Sequence, residues 1–159
     1  MHKTQRITLV LMLFLVVGTL AGVSTASPQP LASGTITNTS ATFDSVRSAG
    51  GNLIIGVSAT ATYTGTISGT STLHGTLIVH EDGSANFHDV EVFTGTVNGV
   101  PGTITFDLTG RNDAHLAVEE TRTIVDASEA LSGLHGILHE TGVVVIPTGP
   151  ATTYIGRIS

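Results

Sequence analysis

Four polar side chains stand out in a chain that is otherwise written in Thr, Gly and aliphatic residues: His74, His80, Asp89 and Glu91. An imidazole held against a partly desolvated carboxylate has both pKa values drawn toward neutrality, the condition that proton transfer requires. Whether His74 meets Glu91 depends on strand register. The runs TSTLHGTLIVH and ANFHDVEVFTGTV flank the turn signal Glu81-Asp82-Gly83-Ser84. A hairpin that closes on His80 and Ala85 sets Ile78 opposite Phe87, Thr76 opposite Asp89 and His74 opposite Glu91, all on one side of the sheet.

The next reversal is better marked. In FTGTVNGVPGTITF, residues 93–106, Asn98-Gly99 tolerates the positive φ that a two-residue type I′ turn needs at both central positions. Apolar residues alternate with Thr on both sides, the period of a strand. This hairpin pairs Phe93 with Ile104, Glu91 with Phe106 and Asp89 with Leu108. Pro101 has no N–H to give, so it is expected on the open side of the ladder or at an irregularity beside the turn. One face thus gathers Ile78, Phe87, Phe93, Ile104, Phe106 and Leu108 around His74, His80, Asp89 and Glu91. The opposite face holds Leu73, Leu77, Val79, Val90 and Val92. Because a small barrel must be filled or lined by large side chains, the phenylalanine-bearing face is read as the interior.

The same alternation runs through the whole chain from Gly34. Eight β-rich runs follow one another, separated by Gly-, Asn- and Asp-bearing turns, and no helical period intervenes. The expected fold is all-β, an eight-stranded antiparallel closed barrel spanning residues 34–159 as one domain. Asp126–Gly136, DASEALSGLHG, is expected as a structured connection with room for one helical turn at Ser128–Ala130.

Residues 1–26 read as a secretory signal peptide: Lys3 and Arg6 precede the apolar Ile7–Val17, and Ser24-Thr25-Ala26 sets small residues where a signal peptidase cuts. Export with cleavage after Ala26 is expected. The alternative is an uncleaved anchor, and only in that case is a membrane a partner. Residues 27–33, with Pro28 and Pro30, read as a short tether. There is no cysteine, so a disulfide framework is excluded. After residue 26 four arginines stand against all 12 acidic residues, a net −8, and such a surface repels nucleic acid and anionic lipid.

Other chemistry is weakly supported. His88-Asp89, His80-Glu81-Asp82 and His139-Glu140 suggest a metal, yet neighbours in a strand point to opposite faces, and no HExxH helix exists. Asp82, Ser84 and Asn86 alternate as in a calcium loop but lack its glycine and terminal Glu positions. Ser128 lacks the glycine-flanked elbow of a serine hydrolase. Asn38-Thr39-Ser40 fits the glycosylation acceptor pattern. No metal and no cofactor is implied.

The run HEDGSANFHDVEVFTGTVNGVPGTITFDLTG, followed by TIVDASEALSGLHG, resembles a bacterial family of unknown function with an eight-stranded barrel of the allene-oxide-cyclase-like, lipocalin or dirigent type. The marks are the DGSA turn with Phe87 after it, Glu91, the NG hairpin with GTITF, and LSGLHG. What the resemblance implies is the barrel. It also implies a carboxylate at the place of His74 and a His at the place of Leu108 in relatives, so the polar trio is rearranged here.

Three functions fit these observations. The first is a barrel enclosing a small apolar ligand, with His74, His80, Asp89 and Glu91 orienting it and Phe87, Phe93, Ile104, Phe106 and Leu108 as the wall. The second is an isomerase, cyclase or hydrolase in which His74 and Glu91 shuttle a proton. The third is a solidly filled barrel with a structural role in the envelope.

Overall fold

The computed structural model describes residues 31–159. Its strands are β1 (Leu31–Ala49), β2 (Asn52–Gly65), β3 (Ile67–Val79), β4 (Ala85–Val97), β5 (Val100–Asn112), β6 (Ala117–Glu129), β7 (Gly136–Val145) and β8 (Gly149–Ile158). Each pairs antiparallel with its sequence neighbours, and β1 pairs with β8 to close the barrel. The signal peptide expected at 1–26 and most of the tether lie outside the described residues. The last three tether residues, 31–33, are instead the start of β1: Leu31–Thr37 pair with β8, and Ala32 is fully buried. These residues supply the closing seam that removes both sheet edges.

The Asn98-Gly99 turn forms as its residue types require, with φ of 51° and 82°. The β4–β5 register is the expected one, including Phe93–Ile104, Glu91–Phe106 and Asp89–Leu108. Pro101 sits beyond the first residue that β5 pairs with β6, so its missing N–H costs the ladder nothing. The irregularity expected there is absent, since Thr96 pairs with Pro101 in regular register. It lies instead between β5 and β6, where Phe106 pairs with Ile124 but Thr105 pairs with Asp126. The extra residue, Val125, bulges outward and lets both Ile124 and Ala127 point inward.

The β3–β4 hairpin corrects the register read from sequence. Val79, not His80, pairs with Ala85. His80 N–H donates to Ser84 O at 2.8 Å, Gly83 N–H donates to His80 O at 3.0 Å, and Gly83 has φ of 85°. That is a three-residue loop with a left-handed glycine at its bulge, one residue shorter than the expected turn. The slip turns every β3 side chain to the other face. Leu73, Leu77 and Ser71 therefore face inward, whereas His74 faces out. The connection in DASEALSGLHG is a continuation of β6 to Glu129 followed by a turn, with Leu131 N–H donating to Ser128 O and Ser132 N–H to Glu129 O.

The interior divides along the barrel axis. At the end carrying the β2–β3, β4–β5 and β6–β7 turns, Ile36, Ile67, Phe93, Ile104, Leu138 and Tyr154 pack into one cluster with Tyr63 and Phe106. The Tyr63 and Phe93 rings meet edge-on at 5.1 Å, and Tyr63 stacks parallel to Phe106 at 6.3 Å. The Tyr154 hydroxyl accepts from Ile67 N–H at 2.9 Å and so fastens β8 to the β2–β3 turn. The other end is open.

Candidate functional site

The open end holds a cavity of about 500 Å3. Its walls are largely aliphatic: Ala41, Val57, Ala59, Leu73, Leu77 and Leu108, with Phe87 among them. The β7–β8 connection, Val145 to Pro150, and Phe43 form its rim, where Ile146 and Phe43 are exposed. Asp89, Glu120 and Arg122 supply its charged groups, and Asn38 and Asn112 add polar ones. Leu77 and Leu73 reach this wall because of the short β3–β4 loop.

Glycine makes room for two lining groups. Asp89 pairs with Gly75 across the β3–β4 ladder, and a Cβ on Gly75 would lie 1.7 Å from Asp89 Oδ1 and 2.4 Å from the His88 carbonyl oxygen. The Phe87 ring lies likewise over Gly110, where a Cβ would come within 2.3 Å. An aromatic ring laid over a cross-strand glycine covers backbone that has no side chain of its own.

Between the cavity and the packed half lies a cluster that the sequence reading only partly found. Arg122 on β6 is 2% exposed, and Glu91 on β4, Glu120 on β6 and Glu140 on β7 are 0%, 5% and 2% exposed. Arg122 Nε donates to Glu91 Oε2 at 2.7 Å. Its Nη1 lies 3.2 Å from Glu120 Oε2 and also contacts Glu140 Oε1. Ser71 donates to Glu91 Oε1, and Thr152 Oγ1 donates to Glu140 Oε2 at 2.8 Å. The Arg122 guanidinium carbon lies 5.8 Å from the centre of the Tyr63 ring, within cation–π reach. Glu120 and Glu140 are direct cross-strand partners, so two carboxyls share one stretch of wall. Glu120 Oε1 is buried without a hydrogen-bond partner, and so is the Tyr63 hydroxyl.

The electrostatics follow from three carboxyls, those of Glu91, Glu120 and Glu140, held against one guanidinium, with the Asp89 carboxyl also buried on the cavity wall. Burial pushes Glu120 up to about 8, opposed by Arg122 and helped by Glu140. Burial likewise raises Asp89 to about 6, with Arg122 opposing and Glu91 assisting. Burial works against the charge on Arg122, but its acidic partners, Glu91 foremost, more than compensate and hold its pKa above the usual guanidinium range. Near pH 7 Asp89 is therefore mostly ionised and Glu120 mostly protonated. One can accept a proton and the other can give one, on the same cavity surface.

The residues proposed from sequence divide into three groups. Phe87, Asp89 and Leu108 line the cavity, and Glu91 lies behind it as the partner of Arg122. Phe93, Ile104 and Phe106, expected as ligand wall, are buried in the packed half. His74 and His80 are not in the lumen. His74 is exposed on the outer face, paired with Val90 and hydrogen-bonded through Nδ1 to Ser58 Oγ at 2.8 Å, so the facing His74–Glu91 pair does not form. His80 belongs to the β3–β4 loop, its ring nitrogens 3.0 Å from Asn52 Oδ1 and 2.9 Å from Asn86 Nδ2. Glu120, Arg122 and Glu140 were missed. Their signal is the alternation Val118, Glu120, Arg122, Ile124 in β6, a strand face that would be apolar but for one acid and one base.

Fold and site together define a closed eight-stranded antiparallel barrel, packed at one end, hollow at the other, with an ion cluster at the partition. The chain belongs to the family described as protein of unknown function (DUF3224), whose model matches residues 32–144. A solved structure from this family, a protein of unknown function from Shewanella oneidensis MR-1, is similar over 83% of this chain and 98% of its own, with a TM-score of 0.66 and 15% identity. At that identity the likeness is one of fold. Among curated proteins nothing matches the chain.

Proposed function

We propose that this is an exported barrel of the allene-oxide-cyclase-like kind that holds a small, largely apolar molecule in its open half. One observation carries the reading: a cavity of about 500 Å3, walled by aliphatic residues and one phenylalanine, with its few charged groups gathered on Asp89, Glu120 and Arg122. Apolar walls with a few convergent polar groups are the usual make-up of a small-molecule site. Export is supported by the charged, apolar and small-residue succession of residues 1–26. The allene-oxide-cyclase likeness is supported by strand number and by closure through neighbouring strands.

The uncharged fluorescent probe N-phenyl-1-naphthylamine tests the reading. Its emission should rise and saturate at one probe per chain. In Ala59→Trp, which places an indole in the cavity, the rise should vanish while the β circular dichroism persists. Absence of saturable binding, or unchanged binding in a folded Ala59→Trp protein, overturns it.

A further inference from the structure

We propose that the molecule held in the cavity carries a cationic amine, which is seated against Asp89 and Glu120. The inference rests on the ligand-binding reading above and specifies the chemistry of its occupant. Three buried carboxyls contact a single guanidinium, Glu91 through Nε and Glu120 and Glu140 through Nη1, and a fourth, that of Asp89, stands on the cavity wall with no ion-pair partner in contact among the described residues. The site is thus short of positive charge, and the apolar walls around it offer no group that would compensate. Glu120 adds a second, independent sign. Its side chain is 2% exposed and lines the cavity, and no N–H or hydroxyl of the described residues donates to Oε1, whose cross-strand neighbour is another carboxyl, that of Glu140.

The choice among cations follows from geometry. Among the described residues no three His, Asp or Glu side chains converge as a metal ion would require. An ammonium group needs fewer ligands and brings three N–H donors on an apolar stem, which matches two acidic groups at the base of an aliphatic chamber. A carboxylate ligand would face the same acidic groups and be repelled; an alcohol would satisfy one acceptor and leave the charge unmet. The proton on Glu120, held because burial raises its carboxyl to about 8, is displaced as the ammonium arrives. The Glu120 O–H bond gives up its proton to a buffer base, and the ligand itself is chemically unchanged.

Displacement of N-phenyl-1-naphthylamine by three molecules of matched shape, 4-phenylbutylamine, 4-phenylbutanol and 4-phenylbutanoate, tests this at pH 7. The amine should displace the probe at a concentration about tenfold below the alcohol, as one charge-assisted hydrogen bond predicts, and the carboxylate should be weakest. In Asp89→Asn the amine should lose its advantage and displace the probe no better than the alcohol does. Glu120→Gln should abolish the proton release, read as the dependence of the calorimetric enthalpy of amine binding on the ionisation enthalpy of the buffer. If the probe binds but alcohol or carboxylate equals the amine, the amine inference falls and the cavity reading stands. If neither the probe nor any of the three binds, both fall.

Discussion

Arg122 and its carboxyls are an expensive way to fill the middle of a barrel. Desolvating an ion costs several kcal/mol, and a well-packed aliphatic replacement is often as stable or more so. The positions are ordinary strand positions facing inward, where Val118 and Ile124 occupy the same face. The physical signature of such a cluster is a pH-dependent stability. The sign follows from linkage: between 4.5 and about 8 the folded state holds a proton on Glu120 that the unfolded chain has released. Stability therefore falls as pH rises through that window, by up to about 1.4 kcal/mol per pH unit for one fully linked proton. Asp89 contributes in the same direction between 3.8 and about 6. Urea midpoints measured from pH 5 to 8.5 should decline in the wild type, and Glu120→Gln should flatten the decline above pH 6. An unchanged slope in that variant would show that Glu120 is not the group being titrated.

At the scale of the strands, the site depends on one close approach. Asp89 can lie against the β3 wall only because Gly75 has no side chain, and a Cβ there would strike a main-chain carbonyl as well as the carboxyl. Since the backbone cannot swing aside as a flexible side chain can, Gly75→Ala should destabilise the barrel by about 1–3 kcal/mol in chemical denaturation. It should also weaken amine binding beyond that expected from lost stability. A neutral effect on both would mean that the two strands have slack the geometry does not show. The same pair of strands shows what sequence alone could give. Asn98-Gly99 admits one turn geometry, so the β4–β5 register and the inward face of Phe87, Asp89, Glu91 and Phe93 could be read directly. Glu81-Asp82-Gly83-Ser84 admits loops of different length, and the one chosen by Gly83 reversed β3 and sent His74 outside. Arg122 was beyond reach for another reason. It meets Glu91 from two strands away, over β5, where no ladder pairs them.

The whole molecule joins two interiors of different character within one closed ladder. Phe93 is fully buried against Tyr63 and its neighbours, whereas Leu77 is half-buried and borders the cavity. Truncation in the packed half leaves a void that close-packed neighbours cannot collapse into, so Phe93→Ala should cost about 3–5 kcal/mol. Truncation beside space that already exists removes fewer contacts, and Leu77→Ala should cost about 2 kcal/mol or less. Because the eight strands run through both halves, the ladder transmits neither loss selectively, and unfolding in urea should remain a single transition in each variant. The difference should reappear under ligand: saturating N-phenyl-1-naphthylamine stabilises only through the occupied half, by mass action, and should raise the midpoint of Phe93→Ala as much as that of the wild type. Equal costs for the two truncations would show that the open end is as tightly packed in solution as the closed one.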